Sequence, residues 1–207
     1  YDQNDEDKVI EIIDGLTAEY IAEYKKTDPN IRLSKKKITG SMMMDESTSQ
    51  RVAKFLFLLP AGVIKRDPDE VDVVVCSTNT THVYLKDGTL TTDLMIRSSI
   101  DDMKWELVRK MKLISEMVDG TFFIDDYFCG WPYKQNSDLQ LIFREAQKRL
   151  YGNDLRLVKL HSCAETSIVA AAILDMDIVG IAPDSKGAHT VDEYMNIDSL
   201  EPFWLLI

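Results

Sequence analysis

An Asp-Gly pair between two strand-like runs is the feature that most constrains the fold of this chain. Residues 82–85 and 90–96 are rich in apolar and β-branched residues, and Asp87-Gly88 lies between them. A two-residue turn of type I′ needs positive φ angles at both positions, and Asp-Gly is one of the pairs that adopt them readily. The sequence therefore predicts an antiparallel hairpin over residues 82–96.

Helical and strand-like patterns lie on both sides of this hairpin. Apolar residues repeat at intervals of three and four in three segments, residues 5–26, 47–59 and 100–118. Further strand-like runs occur at residues 31–33, 71–76 and 121–124. Ser47 and Gln50 have the spacing of a capping box, and Gly120 suits the residue after a helix end. The order α-β-α-β-β-β-α-β predicts a two-layer α+β sandwich, with its helices on one face of an antiparallel sheet.

The pattern changes after residue 128. Helices are predicted at residues 137–150, 164–174 and 197–206, and short apolar strands at residues 155–160 and 178–182. Strands that alternate with helices in this way are typical of a parallel sheet covered on both faces. We therefore predict a domain boundary near residue 128, with residues 1–128 in one domain and residues 129–207 in the other.

Composition argues against two classes of partner. The net charge of −11 argues against nucleic acid, because phosphate binding needs concentrated basic residues. The basic cluster Lys35-Lys36-Lys37 is predicted to be the solvated edge of a strand. A run of about 18 apolar residues, as a membrane-spanning helix requires, does not occur.

Cysteine use and the amino terminus indicate the compartment. Cys76, Cys129 and Cys163 are an odd number with no CxxC pair, which is typical of reduced thiols in an intracellular protein. No basic segment followed by an apolar core opens the chain, so no signal peptide is expected. These features predict a cytoplasmic protein. Because the sequence starts at Tyr1 without an initiator Met, we also expect a cut or processed chain.

Two of the three histidines follow predicted parallel strands. His161 comes directly after residues 155–160, with Glu165 at the start of the next helix, and His189 lies in the loop after residues 178–182. Open α/β sheets form their sites beyond the carboxyl ends of strands. From periodicity alone, both histidines could equally be loop-end residues with satisfied hydrogen bonds. His82, near the start of a hairpin strand, is predicted to be a surface residue.

Motifs around these histidines carry a resemblance to a known family. The segment Gly187-Ala188-His189-Thr190-Val191-Asp192-Glu193 resembles the Gly-Ala-His-Ser-Pro-Asp-Glu motif of Xaa-His dipeptidases, which belong to the zinc-peptidase superfamily of carnosinase, aminoacylase and glutamate carboxypeptidase. His161-Ser162-Cys163-Ala164-Glu165 is similar to the family's His-Ala-Gly-Leu-Glu segment. Further similar segments follow in the family's order at residues 59–63, 77–79, 96–99, 131–132 and 196–204. The resemblance covers residue 8 to the carboxyl terminus. The departures at Val191 and at Cys163-Ala164 leave substrate preference within the family open.

The resemblance implies the carboxyl-terminal half of a metallopeptidase. Residues 1–128 would be a lid and dimerisation domain without its first strand, and residues 129–207 the last part of an α/β catalytic domain. His189 would be one ligand of a two-zinc site. The other zinc ligands, the bridging Asp and the general-base Glu of the family have no match in this chain, and neither has a lid histidine that helps to bind substrate. No catalytic residue is therefore expected here.

The resemblance also implies the substrate contacts. Glu165 and His161 would line the substrate side, where a carboxylate can hold a free α-amino group. Arg97 would bind the substrate carboxylate, and Asn79 the substrate or the tetrahedral intermediate. The alternatives are a surface ion pair for Arg97 and a strand-end or turn residue for Asn79.

Three functions follow from these expectations. The first is the carboxyl-terminal part of a cytoplasmic zinc dipeptidase that cleaves Xaa-His dipeptides, forms a homodimer through residues 1–128 and has no activity as this chain alone. The second is a catalytically inactive homologue that acts as a dimerisation or interaction module. The third is an unrelated α/β binding protein in which His161 and His189 are structural.

Overall fold

A computed structural model of the chain describes residues 3–37, 43–161 and 164–207. The chain forms two compact units, Tyr1–Asp45 and Glu46–Ile207. The boundary predicted near residue 128 lies inside the second unit and stays a prediction. None of the described helices is long and apolar enough to cross a membrane.

The first unit is built on one long helix. A 3₁₀ turn over Gln3–Asp5 leads into α1, Glu6–Tyr24, none of whose residues is buried. The strand predicted at residues 31–33 is irregular backbone, since no described strand lies beside it to supply hydrogen bonds. The basic cluster is solvated as predicted, although it is not in a strand. Lys35 is paired with Asp14 and Lys37 with Glu6, so two lysines of the cluster bind carboxylates of α1.

The second unit contains an antiparallel sheet of three strands in the order β1-β2-β3. The strands are β1 (Gly62–Arg66), β2 (Val74–Lys86) and β3 (Thr89–Ser98). The predicted hairpin is confirmed, because Asp87 (φ 49°) and Gly88 (φ 77°) both have positive φ. Where the sequence predicts two strands, at residues 71–76 and 82–85, one strand of 13 residues runs through. β1 was not predicted.

Two helices accompany this sheet, α2 (Glu46–Leu58) and α3 (Asp101–Glu116). The capping-box prediction is wrong, because α2 already includes Ser47 and the Gln50 amide donates to the carboxylate of Glu46 instead. The cap prediction at Gly120 is also wrong in detail. Asp119 is the left-handed residue, with φ 56°, and Gly120 N–H donates to Ser115 O at 2.8 Å.

Helix α3 covers one face of the sheet. Because side chains alternate between faces, Cys76, Thr78 and, across the hairpin, Ser98 point to the same side, and all three are buried. Lys104 and Glu106 of α3 act electrostatically on the Cys76 thiol, and burial raises its pKa. Among the described residues, the other buried apolar side chains are Leu107, Met111 and Ile114 of α3 and Val75, which shares the opposite face with Ser77. The opposite face of the hairpin therefore carries Ser77, Asn79 and Arg97.

The connection after α3 is fixed to the start of that helix. The buried Lys104 ammonium donates to Phe128 O at 2.5 Å, and Gly130 N–H donates to Asp101 Oδ1 at 2.5 Å. A Cβ at Gly130 would lie 2.6 Å from the Ser99 carbonyl oxygen, so only glycine fits this approach. The strand predicted just before this connection, at residues 121–124, is irregular.

Most of the regular structure in residues 138–207 is helical. It contains α4 (Asp138–Tyr151), α5 (Glu165–Ala172), a two-stranded ribbon of β4 (Ser185–Lys186) and β5 (Tyr194–Met195), and α6 (Leu200–Leu206) after a 3₁₀ turn. Helix α4 begins and ends as predicted. The Ser137 hydroxyl accepts from Gln140 N–H, and Gly152 ends the helix with φ 72°.

The two predicted parallel strands, residues 155–160 and 178–182, do not form strands. Burial nevertheless alternates along the first of them, where Leu155, Leu157 and Lys159 are half-buried and the residues between them are exposed. The side-chain pattern of a strand is thus present. A sheet does not form because no described strand lies beside either segment.

Candidate functional site

The open face of the β2–β3 hairpin carries two of the predicted site residues. Ser77 lies opposite Arg97 in the strand register, and Asn79 lies opposite Met95. Arg97 is half-buried, whereas Asn79 is exposed. The Arg97 Nε–H points to the sulfur of Met95 at 3.3 Å, a weak acceptor. No carboxylate among the described residues is paired with this guanidinium, which leaves its donors for another anion.

His161 joins this face through a hydrogen bond. Its Nε2 lies 2.7 Å from Ser77 Oγ in a partly buried contact. Burial lowers the pKa of the His161 imidazole, and the positive charge of Arg97 lowers it further. Both effects favour the neutral ring, which can donate or accept in this bond depending on its tautomer.

The structure therefore brings together three of the four predicted substrate contacts. Arg97, Asn79 and His161 lie at one face of the hairpin, with Ser77 between them. Ser77 itself was not predicted as a site residue. Its signal was available, because residues 77 and 79 of one strand must share a face.

A groove of about 530 Å³ opens beside His161. One wall is formed by residues ahead of β2, including Glu70, and the other by the extended segment that ends at His161. Lys159 forms an ion pair with Glu70 and lies 4.4 Å from the ring centre of Tyr133. The hydrogen bond to Glu70 raises the pKa of the Lys159 ammonium, so the pair stays charged at neutral pH. Arg144 and Arg156 also line the groove.

Glu165, the fourth predicted substrate contact, is the first residue of α5. It is exposed at the amino-terminal end of that helix. No hydrogen bond or ion pair within the described ranges joins Glu165 to the Ser77–His161 pair. Ser162 and Cys163, which complete this predicted motif, lie outside the described residues.

His189 lies in the loop between β4 and β5. Gly187 and His189 have positive φ angles of 67° and 66°. The Thr190 hydroxyl donates to Gly187 O at 2.7 Å, and the backbone N–H of His189 donates to a carboxylate oxygen of Glu193 at 2.9 Å. The loop is thus closed by its own hydrogen bonds, and the His189 residue is exposed.

The described residues do not form a complete metal site. A hydrolytic zinc takes about three protein ligands and an open position. Within the described part of the chain, no group of three or more His, Cys, Asp or Glu side chains could hold a metal ion. His189 has the right chemistry for one ligand, because an imidazole is a common zinc donor. The described residues do not place a group of further ligands around it.

His82 is a surface residue, as predicted. Its side chain is 74% exposed, and its Nδ1 lies 3.5 Å from the carboxylate of Asp93 across the hairpin. Cys76 and Cys129 are free thiols, which fits the prediction of reduced cysteines for these two. Cys163 lies outside the described residues.

Comparison with known proteins supports the resemblance that the motifs indicated. The chain is 25% identical over 185 residues to cytosol non-specific dipeptidase of Escherichia coli (strain K12), covering 84% of this chain and 38% of that protein. The chain is homologous to a dipeptidase. No protein-family model matches the chain.

The crystal structure of aminoacylhistidine dipeptidase from Vibrio alginolyticus has the same fold over the matched part. Its TM-score is 0.81 at 22% sequence identity, and the match covers 98% of this chain and 42% of that one. The chain therefore spans less than half the length of either dipeptidase. Both the resemblance to dipeptidases and its extent, which fits a carboxyl-terminal half, are confirmed.

Proposed function

We propose that this chain is the carboxyl-terminal part of a zinc metallopeptidase that hydrolyses dipeptides of the Xaa-His type. The homology to a dipeptidase over 84% of the chain is the observation that carries the proposal. Arg97, Asn79 and His161 on one face of the hairpin support it, because a substrate-binding surface needs polar groups that converge.

In this proposal Arg97 binds the carboxylate of the dipeptide. A guanidinium offers parallel N–H donors that match a carboxylate, and the described part of the chain supplies no carboxylate partner for it. Asn79, exposed two residues from Ser77, contacts the substrate or the tetrahedral intermediate. Glu165 accepts hydrogen bonds from the free α-amino group of the substrate.

His189 would hold zinc together with ligands from outside the 207 residues. Its loop supports this role, because the bonds from His189 N–H to the Glu193 carboxylate and from the Thr190 hydroxyl to Gly187 O close the loop without using the imidazole. Two zinc ions per complete site would activate water and polarise the peptide carbonyl. The described residues contribute at most one ligand, so this chain alone is proposed to be inactive.

The remaining parts of the proposal concern organisation. Residues 1–128 would form the lid and dimerisation domain of a homodimer, and residues 129–207 the last part of the catalytic domain of a cytoplasmic enzyme. The outer half of the hairpin supports a role in association, because Val83, Tyr84 and Leu85 are exposed there in a row.

Hydrolysis of Xaa-His dipeptides with added zinc tests the proposed function. We expect the full-length protein to turn over these substrates and the 207-residue chain alone to show no turnover. Normal metallopeptidase turnover by the chain alone, or none by the zinc-loaded full-length protein, would contradict the proposal.

Arg97→Met tests the proposed carboxylate contact. The variant should raise KM for a free dipeptide by about tenfold or more, because a charge-assisted hydrogen bond contributes roughly 1.5–3 kcal/mol. It should have little effect on the same dipeptide with an amidated carboxyl end, which has no charge to bind. His82→Ala, at an exposed position of the same hairpin, is the control. An equal rise in KM for the free and the amidated dipeptide would contradict the proposed binding of the substrate carboxylate by Arg97.

The second candidate function is a catalytically inactive homologue that mediates association. One observation favours it, namely that no group of metal-ligating side chains is complete within the described ranges. Zinc content of the full-length protein separates the two functions. About two zinc ions per subunit, with loss on His189→Ala, support the enzyme, and a metal-free protein that still self-associates supports the module.

A further inference from the structure

The Ser77–His161 hydrogen bond connects parts of the chain that lie 84 residues apart in sequence. His161 ends the extended segment 155–161, which makes no backbone hydrogen bond to the rest of the described chain. The polar side-chain contacts that hold this segment against its surroundings are the Ser77–His161 bond, the Lys159–Glu70 ion pair and the contact of the Lys159 ammonium with the Tyr133 ring. The position of the segment thus depends on side chains and not on a sheet.

The location of the bond links it to the proposed substrate contacts. Ser77 is the register partner of Arg97. At the other end, His161 is four residues before Glu165, a span of at most about 14 Å along an extended chain. The Ser77–His161 contact therefore places His161 beside the register partner of Arg97.

We propose that His161 is a positioning residue, whose neutral imidazole, bonded to Ser77, holds the segment 155–161 against the open face of the hairpin beside Arg97. The expected effect on substrate binding rests on the proposed dipeptidase function. The Ser77–His161 bond and the charge state of the His161 imidazole do not depend on it. In this assignment His161 lines the substrate side, as in the proposed function, and affects binding through Ser77 and Arg97.

Protonation of His161 would weaken this arrangement. An imidazolium would be a second positive charge beside Arg97 in a partly buried contact. Other charged or titratable groups line the groove from the neighbouring elements: Glu70 and Asp72 ahead of β2, Tyr133, Arg144 of α4, and Arg156 and Lys159 of its own segment. Since Lys159 is paired with Glu70, the groove has no clear excess of negative charge to offset the imidazolium.

The charge state can be measured without any assay of activity. Imidazole NMR of the full-length protein, with His161 assigned by His161→Gln, should give a pKa for His161 below the ordinary 6.5. Arg97→Gln should raise this pKa, because it removes the nearby positive charge. A His161 that titrates at 6.5 or above, or one that Arg97→Gln leaves unchanged, overturns the proposed electrostatic coupling whatever the enzyme does.

The positioning role is tested by kinetics of the zinc-loaded full-length protein with Ser77→Ala, with His161→Ala and with both substitutions. Ser77→Ala and His161→Ala should each raise KM for the dipeptide by roughly 3- to 10-fold, as expected for the loss of one neutral hydrogen bond, with a smaller change in kcat. The double variant should be no worse than either single one, because both remove the same bond. Additive losses in the double variant would overturn the proposal.

His161→Gln distinguishes positioning from a merely structural role. A glutamine amide can reach Ser77 from this position but does not titrate. In the parent protein, KM should rise at acid pH because protonation of His161 weakens its bond to Ser77. We expect KM of His161→Gln at pH 7.5 to stay near that of the parent protein, and we expect this acid rise to be absent. An unchanged acid rise in His161→Gln would overturn the proposal. If no variant and not even the parent protein hydrolyses dipeptides, the proposed function fails, and the NMR titration still decides the coupling.

Discussion

His189 has a backbone conformation that its side chain does not favour. An L-residue at φ 66° brings its Cβ close to the following carbonyl oxygen, at roughly 1–2 kcal/mol relative to glycine. A loop that served only to reverse the chain would be more stable with glycine there. The residue therefore has a strained backbone conformation. Such strain is often seen at residues with a functional role.

Replacement of His189 by glycine separates stability from metal binding. We expect His189→Gly to raise the free energy of unfolding of the metal-free full-length protein by about 0.5–1 kcal/mol, since the strain relieved exceeds the extra entropy of glycine in the unfolded chain. Zinc content should fall at the same time. Gly187→Ala is the matched control and should destabilise, because its Cβ would lie 2.9 Å from Asp192 O. Denaturant unfolding measures the stability of the two variants, and metal analysis measures their zinc content. A His189→Gly variant less stable than the parent protein would contradict the expected backbone strain at His189.

His161 gives the stability of the protein a dependence on pH. Its folded-state pKa is lowered, mainly by burial, so the unfolded chain binds more protons than the folded one as pH falls through 6.5. The contribution of the neutral His161 ring to the free energy of unfolding is present above pH 6.5 and is lost as the pH falls towards the folded-state pKa. We expect the unfolding free energy to decrease between pH 7 and pH 5.5 by more in the parent protein than in His161→Gln. Equal decreases, measured by urea unfolding, would contradict this contribution.

At the scale of elements, the β2–β3 hairpin has two different halves. Residues 76–78 of β2 are paired on both sides, with β1 and β3, whereas residues 82–86 are paired with β3 alone. All side chains at residues 81–86 are exposed, on both faces. Across the ribbon, Leu90, Thr91 and Thr92 of β3 are only half-buried, so this two-stranded ribbon has little apolar burial to hold it together.

Hydrogen exchange should distinguish the two halves. We expect the hydrogen-bonded amides of residues 82–86 to exchange at least about tenfold faster than those of residues 76–78 in the monomeric chain, because local opening of a ribbon exposes little buried surface. Exchange of the 207-residue chain, at a dilution where it is monomeric, followed by mass spectrometry, checks this. Equal protection of both halves in the monomer would contradict the expectation, and protection of the outer half that appears only in the full-length protein would support the proposed dimer.

The elements that could be predicted from the sequence are those specified by local signals. Asp87-Gly88 determines its turn through the φ angles that both residues adopt, and Ser137 and Gly152 determine the ends of α4 through a hydroxyl and a left-handed residue. The strands predicted at residues 155–160 and 178–182 depend on a neighbour that their own sequence does not supply. Burial on both faces was predicted there, whereas residues 155–160 alternate between half-buried and exposed, and hydrogen-bond partners are absent from the described chain.

The candidate site was predictable to a similar degree. Arg97, Asn79 and His161 could be selected through motif order, because each stands in a segment similar to the dipeptidase family. The bond from His161 to Ser77 could not, since it joins residues 84 positions apart and depends on how the segment packs. Whether Glu165 and His189 complete the site with groups beyond this chain stays a prediction.

At the scale of the whole molecule, the exposed surface is much larger than the chain length requires. The chain exposes 16,789 Å². A monomer of this mass exposes about 9,800 Å² when compact, and two separate compact bodies of 45 and 162 residues would expose roughly 11,000 Å². The excess includes large apolar side chains such as Trp204, Phe57 and Leu174. Surface of this size and composition indicates that further protein normally covers part of it.

The 207-residue chain alone should therefore associate. We expect it to sediment as a mixture of oligomers and to bind a dye specific for exposed apolar surface, because exposed apolar side chains such as Trp204, Phe57 and Leu174 are unfavourable in water. The full-length protein should bind far less dye and sediment as one species. A monodisperse, monomeric 207-residue chain without dye binding, measured by analytical ultracentrifugation, would contradict this expectation.

The fixed connection at residues 128–130 limits how this molecule can move. The backbone there is held by Lys104 and Asp101, and Gly130 leaves no room against Ser99. A hinge needs residues whose φ and ψ angles change freely, and these are locked to the first turn of α3. If the chain on the two sides of residue 128 turns as two rigid bodies, its pivot lies outside these residues, and α3 swings together with the Phe128–Gly130 backbone.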